Sequence, residues 1–264
     1  MKTWIPDARN FAYLSWKQVD ALPRGQTLLV LPTAAIEQHG HHLPLATDTL
    51  INNLLLGKAL ERIAPEVPIY ALPPVCYGKS NEHIGFPGTL SVSAQTFLAV
   101  VRDLGASIAA AGFIKVVLYN THGGNTSLVD ICARDLRADF GLRTFTLFGS
   151  AGATFPDVNP QERTYGFHAG EIETAFLMHG TSELVQRGEF TSNYIARIED
   201  LDLLKPEGSS ANFAWLTKDI SPTGVLGDPS GATPEKGARW VAEASQRVAD
   251  ALLAMYHFEP RHGA

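Results

Sequence analysis

The 264-residue sequence predicts an α/β fold, a mostly parallel sheet with helices on both faces. Three observations predict it. As far as residue 150, short apolar runs take turns with longer segments of helical periodicity. The short runs are continuously apolar, the pattern of strands covered on both sides. Polar, histidine-rich stretches follow these runs, where a parallel sheet holds its functional loops beyond the carboxyl ends of the strands.

In order, TLLVLP (27–32) is the first strand. Residues 49–63 form a helix, since Leu50 and Leu54, and Ile51 and Leu55, recur at helical spacing and Pro65 ends the run. PIYALPPV (68–75) is the second strand. Residues 93–111 place Phe97, Val101, Leu104 and Ile108 on one helical face, with Ser93 as the cap and Gly112 after the end. KVVLYN (115–120) is the third strand, 125–139 the third helix and RTFTLFG (143–149) the fourth strand. Beyond 150 the pattern thins: EIETAFLMHG (171–180) reads as helix, 191–232 is rich in Gly, Pro and Ser, and a last helix runs from Glu235 to Tyr256. No repeat, linker or low-complexity tract interrupts the chain, so residues 1–264 are read as one domain.

Composition narrows the function. With 45% hydrophobic and 18% charged residues and a net charge of -6, the chain has the make-up of a soluble globular protein and no basic surface for a phosphate backbone. Nucleic acid is therefore not expected as a partner. Cys76 and Cys132 are too few for a disulfide framework and fit a reducing compartment. The opening MKTWIPDARN lacks the layout of a signal peptide, and no apolar run approaches the ~18 residues of a membrane helix. A cytoplasmic protein without membrane contact is expected.

The chemistry concentrates in four stretches. Strand one leads into EQHGHHLPLATD, strand two into YGKSNEHIGFPGT and strand three into NTHGGN, and HAGEIET (168–174) follows later. Of the nine histidines, His39, His41, His42, His83, His122 and His168 lie there, which argues against scatter. Glu37 and His39, two apart in an extended segment, point to one side. Asp48, opening the next helix, carries a carboxylate that can bridge two cations, and His122 supplies a nitrogen from across the sheet. Oxygen and imidazole donors without thiolate suit Zn, Mn or Fe(II). The plainer alternatives are that Asp48 caps its helix, that His122 caps the next one, that Glu82 pairs with Lys79, and that Gly123 and Gly124 merely serve a turn. His41 and His42 are read as rim or supporting groups. His179, His257 and His262 carry no pattern.

These stretches resemble a known family. EQHGHHLPLATDT is similar to the E-Q-H-G-P-H-L-P-x-x-T-D signature of the creatininase family of metal-dependent amidohydrolases, and GKSNEHIGFPGT, THGGN, HAGEIET and GVLGDPSGATPEKG follow its later motifs in order. The resemblance implies a three-layer α/β/α sandwich, two divalent metal ions per chain (Zn first, Mn or Fe(II) otherwise), a homohexamer, and hydrolysis of a non-peptide C–N bond in a small, often cyclic, amide or a formamide. It assigns Glu37, His39, Asp48 and His122 as metal ligands, with Asp48 bridging. Creatininase itself has a ligand Glu two residues after the His, where this chain has Gly124, and Glu173 is the candidate that replaces it. His168 and Glu171 become proton-transfer groups, while Glu82 and His83 orient substrate or buttress a ligand. Two further departures are His41, where Pro is usual, and Thr121, where Gly is usual. The expected nucleophile is a hydroxide bridging the two ions. Trp215, Phe213 and Phe167 could form a lid. A two-metal phosphoesterase and a non-catalytic, metal-stabilised binding protein are the competing readings.

Overall fold

In the computed structural model, residues 2–195, 204–206 and 210–259 are described, and His262 lies outside them. The central sheet has four strands, β1 (Leu28–Thr33), β2 (Ile69–Ala71), β3 (Lys115–Asn120) and β4 (Arg143–Phe148), in the order β2-β1-β3-β4. All three pairings are parallel, and the register sets Thr33 beside Asn120 at the carboxyl ends of β1 and β3. The four predicted strands and their order in the chain are those observed.

The continuous apolar character of the strands has a direct cause. In β1, Leu28 and Val30 face one layer of core while Leu29 and Leu31 face the other, and in β3 Val117 and Tyr119 oppose Val116 and Leu118 in the same way. Each face is covered by helices. On one side lie α2 (Thr47–Leu60), α6 (Glu171–Gly180) and α8 (Pro234–His257); on the other, α3 (Ala94–Ala110) packs with α4 (Thr126–Phe140). The fold is thus the expected α/β sandwich of three layers.

Helix α2 is buried almost all round because it is wedged between the sheet, α6 and α8, and each fully covered leucine there, such as Leu55 or Leu56, contributes roughly 1.5–3 kcal/mol. It starts at Thr47, two residues before the predicted start at 49, so Asp48 falls inside the first turn. Ser93 caps α3 by accepting the Thr96 N–H, as predicted. Helix α8, started by Thr233 and Pro234, buries Trp240, whose indole N–H donates to Asp157 at 2.7 Å. The short helices α1 (Trp16–Asp20), α5 (Pro160–Tyr165) and α7 (Thr217–Ile220), and the small β5 (Leu204–Lys205) and β6 (Ala211–Asn212) pair, went unpredicted. Each is too short to display a period. No helix among the described residues is long and apolar enough to cross a membrane.

Candidate metal centre

The site is assembled where three strands end. Beyond β1 the chain runs extended through Glu37 to His39, then turns at Gly40, whose positive φ of 66° favours glycine and where any Cβ would lie 2.5 Å from Val225. His122 follows β3 by two residues, and Thr33 donates to Asn120 across the strand ends at 3.1 Å. The Asn120 amide in turn donates to the His122 carbonyl at 2.6 Å. Asp48 enters from the first turn of α2, and Glu173 from the first turn of α6.

Asp48 is the centre of the cluster. Its Oδ1 lies 3.3 Å from His39 Nε2, and its Oδ2 lies 3.2 Å from His122 Nδ1. Glu37 Oε2 stands 3.3 Å from His122 Nδ1 on the second side, and Glu173 Oε2 stands 3.9 Å from His39 Nε2 on the first. Helix capping does not explain Asp48, because the N-cap position of α2 is Ala46 and no side chain caps the helix. Nor does His122 cap the following turn through its side chain.

The outer nitrogens fix the rings. A carbonyl oxygen only accepts, so His39 Nδ1–H donates to the Glu37 carbonyl (3.2 Å) and His122 Nε2–H donates to that of Lys79 (3.0 Å). The inner nitrogens therefore meet the carboxylates with a lone pair or an extra proton. This is how metal-binding imidazoles are held. Glu37 Oε2, Asp48 Oδ2 and His39 Nε2 are buried and lack any well-aligned hydrogen-bond partner, a costly state unless a cation joins them. No lysine or arginine among the described residues pairs with Glu37, Asp48 or Glu173.

Burial is the largest single influence on His39 and opposes an imidazolium, but Asp48, Glu173 and Glu37 together outweigh it and carry the pKa up to about 10. His122 is likewise driven well up, by Glu37 and Asp48 against burial. Asp48 moves down despite burial, under the influence of His39 and then His122. Burial raises Glu173 to about 7. The buried Glu37 and Asp48 carboxylates thus hold protons on His39 and His122 when no cation is at hand, and a cation would displace those protons.

Beside the cluster, His83 Nε2 approaches Glu37 Oε1 at 3.4 Å and His168 Nδ1 approaches the same oxygen at 3.8 Å. Burial lowers both histidines, His83 to about 2 and His168 well below its ordinary value, so both are neutral at pH 7. His168 Nε2–H donates to the Gln38 carbonyl at 2.8 Å, which leaves Nδ1 as a bare base facing the cluster. Glu82 Oε1 lies 3.5 Å from His122 Nε2, and its other oxygen lies 3.8 Å from Lys79, so the plain salt link and the site contact coexist. Burial raises the Glu82 pKa.

Glu171 does not join them. Although fully buried at the start of α6, its carboxylate pairs with Lys236 and accepts the Asn159 N–H at 2.9 Å. Its carboxylate is engaged by Lys236 and a backbone N–H, and Glu171 does not line the cleft over the cluster. His41 is exposed, whereas His42 is buried with Nε2 on Thr174 Oγ1 at 3.0 Å. Of the suggested lid, Phe167 and Trp215 line the cleft with ring centres 5.2 Å apart, and Phe213 does not line it.

Two contributors escaped sequence reasoning. Gln38 sits between two ligand candidates, and its amide donates to His83 Nδ1 (2.8 Å) and to the Gly224 carbonyl (3.1 Å). Its place in the signature was the available signal, but strand alternation turns it away from Glu37 and His39. Thr217, which meets His83 Nδ1 at 2.8 Å, comes from far along the chain and offered none. The cleft over the cluster encloses about 50 Å³, room for water and a small reacting group.

These features define a class, the parallel-sheet α/β proteins with a buried carboxylate–imidazole centre at the strand ends. The family model described as creatininase, creatinine amidohydrolase, matches residues 12–252, and the chain belongs to this family of hydrolases. Among curated relatives, a mycofactocin precursor peptide peptidase of Mycobacterium ulcerans (strain Agy99) is 34% identical over 229 residues, covering 84% of this chain and 83% of the relative. A creatinine amidohydrolase of Pseudomonas putida is 28% identical over 258 residues, covering 90% of this chain and 94% of the relative. A mutant creatininase complexed with creatine superposes with a TM-score of 0.77 at 26% identity, covering 94% of this chain and 99% of that one.

Proposed function

We propose that this protein is a metal-dependent amidohydrolase that cleaves a C–N bond at a pair of divalent ions. The observation that carries the reading is Asp48, whose two oxygens face two different imidazoles, His39 at 3.3 Å and His122 at 3.2 Å. His39, Asp48 and Glu173 would hold one ion, and Glu37, Asp48 and His122 the other. The buried, poorly partnered oxygens of Glu37 and Asp48 and the Nε2 of His39 fit that charge. Zinc and manganese are the first candidates, since solved creatininases at 25% identity carry Mn in one case and Zn–Zn in another. When bound, the ions would supply acidity, lowering the pKa of a coordinated water from 15.7 towards about 7.

The chain's own residues do the rest. His168, neutral with its free Nδ1 toward Glu37 Oε1, takes a proton from the attacking water and returns it to the leaving nitrogen, which cannot depart as an anion. Glu82, kept protonated more readily by burial, is the second proton donor at the rim. His83, locked by Gln38 and Thr217, steadies Glu37. Phe167 and Trp215 wall the cleft and limit water entry. The expectation of a non-peptide bond is widened here to amide bonds in general, because the relatives include both a peptide peptidase and a creatinine amidohydrolase. The reading also carries a cytoplasmic enzyme and a homohexamer, of which sedimentation of the purified protein tests the second.

The test is elemental mass spectrometry of metal per chain beside a panel of peptide amides, cyclic amides, formamides and phosphate esters. About two equivalents in wild type, about one in Glu173→Ala, loss of both in Asp48→Ala, and amide turnover are expected. Turnover of phosphate esters alone, or full activity in Asp48→Ala, would overturn the reading.

A further inference from the structure

Glu162 is a buried carboxylate that the proposed chemistry does not use. It sits on α5, 4% exposed, and is a hub for three separate segments. Its Oε1 accepts the N–H of Glu171, the first residue of α6, at 2.9 Å. Its Oε2 accepts the N–H of Asp228 at 2.7 Å and the Tyr194 hydroxyl at 3.1 Å.

The surroundings are cut to this group. At Gly166 and at Gly170, the three nearest atoms to a would-be Cβ all belong to the Glu162 carboxyl group and would overlap it, and at Gly227 a Cβ would lie 2.7 Å from Oε1. Side chains are missing from all three sides where the carboxylate lies. What it fastens is the loop that delivers His168 and Glu173. Phe167 and His168 pair with Leu226 through three backbone hydrogen bonds of 2.9–3.1 Å, next to the Asp228 N–H that Glu162 holds. Ala169, between them, has a positive φ of 55° although it is not glycine, and its N–H donates to Glu173 Oε2 at 2.6 Å. Such a conformation persists only where its neighbours enforce it.

We infer that Glu162 is a positioning residue: it clamps the 166–171 loop and the start of α6 against the 226–228 segment, and so sets Glu173 and His168 at one side of the metal centre. The inference rests on the reading of the cluster as a metal site. Glutamine cannot replace it, because both oxygens accept backbone N–H groups. Either orientation of a Gln amide turns its NH₂ against one of them.

The experiment uses the full-length protein, stripped of metal and titrated with Zn²⁺ or Mn²⁺ in a calorimeter, with hydrogen exchange on the metal-free form. In Glu162→Gln, one metal equivalent is expected to weaken by about tenfold to a hundredfold while the one held by Glu37, Asp48 and His122 keeps its affinity. Exchange at 167–173 and 226–228 should quicken, and elsewhere stay unchanged. Gly170→Ala should reproduce this in the wild-type background and add nothing in Glu162→Ala, where the overlapping group is gone. Unchanged local exchange, additive effects of the two sites, or equal loss of both equivalents would overturn the clamp. Should wild type take up neither ion, the metal reading itself fails. Exchange and the Gly170→Ala pairing in metal-free protein then still decide whether Glu162 fastens the loop.

Discussion

Asp48→Asn in metal-free protein tests the electrostatics of the cluster directly. The substitution keeps the side-chain shape and removes the charge that holds His39 as an imidazolium. In the wild type His39 stands at about 10 against an ordinary 6.5, raised by Asp48 over the opposition of burial. A folded-state pKa above the unfolded value means the folded protein binds more protons between those two pH values. This stability is fully present below pH 6.5 and is lost as pH rises towards 10. At about 1.4 kcal/mol per pH unit, the interval corresponds to at most about 5 kcal/mol, and coupling to Glu173 and Glu37 leaves roughly 2–5 kcal/mol assignable to the pair. Urea unfolding of both chelated proteins at pH 6.5, 8 and 9.5 measures it. The difference in stability between wild type and Asp48→Asn should shrink as pH rises, since other alkaline titrations cancel between the two. His122 keeps part of the slope in the variant through Glu37, 3.3 Å away. Parallel stability curves for the two proteins would show that Asp48 and His39 are not an ion pair, and the account of the apo cluster would fall.

Three other outcomes follow from particular contacts. His42 is buried neutral, lowered to about 4 first by burial and then by His39, so the unfolded chain binds the extra proton between pH 6.5 and 4. Stability should therefore fall by about 3 kcal/mol as pH drops through that window, and acid unfolding of His42→Asn should be flatter there. Trp240→Ala empties the α6–α8 core and removes the bond to Asp157, which should cost about 3–5 kcal/mol in denaturant melts while leaving metal content unchanged. Gly124→Ala would push a Cβ to 2.6 Å from His122 Nε2 and into Glu82 and the Lys79 carbonyl, so a loss of about 1–3 kcal/mol and weaker metal uptake are expected by melts and elemental analysis.

The sheet was legible because each of its central strands is buried on both sides, which leaves an uninterrupted apolar run in the sequence. Leu28 to Leu31 in β1 and Val116 to Tyr119 in β3 fill two different core layers yet read as one signal each. The ligand candidates were legible for a related reason: short loops after parallel strands have one rim on which to converge. Glu37, His39, Asp48, His122 and Glu173 meet there. Direction was harder to read. In HAGEIET the two glutamates are two apart on a helix, so they cannot face the same way, and nothing local says which of them looks inward. The choice is made by Lys236, which holds Glu171 on α6 from a helix that begins more than sixty residues later. Gln38 and Thr217 were missed on the same account, since their importance lies in partners far along the chain.

The steric position of Gly124 bears on which side chains can enter the site from the β3 loop. A side chain at 124 would need the space occupied by the Glu82 carboxylate and the Lys79 carbonyl, and the carbonyl is anchored by the His122 Nε2–H that it accepts at 3.0 Å. Moving that backbone would free the His122 ring, whose orientation brings Nδ1 to both Asp48 and Glu37. The Glu82 loop and a carboxylate at 124 therefore exclude each other. On the His39 side the third carboxylate comes from α6, next to Ala169 at its positive φ, whose N–H donates to Glu173 Oε2, 3.9 Å from His39. Glu162, fixed on the next backbone N–H but one, is what makes that conformation tolerable. Glu173, Ala169 and Glu162 thus form one dependent set on the α6 side, and Gly124, Glu82 and the Lys79 carbonyl a second one around the His122 ring.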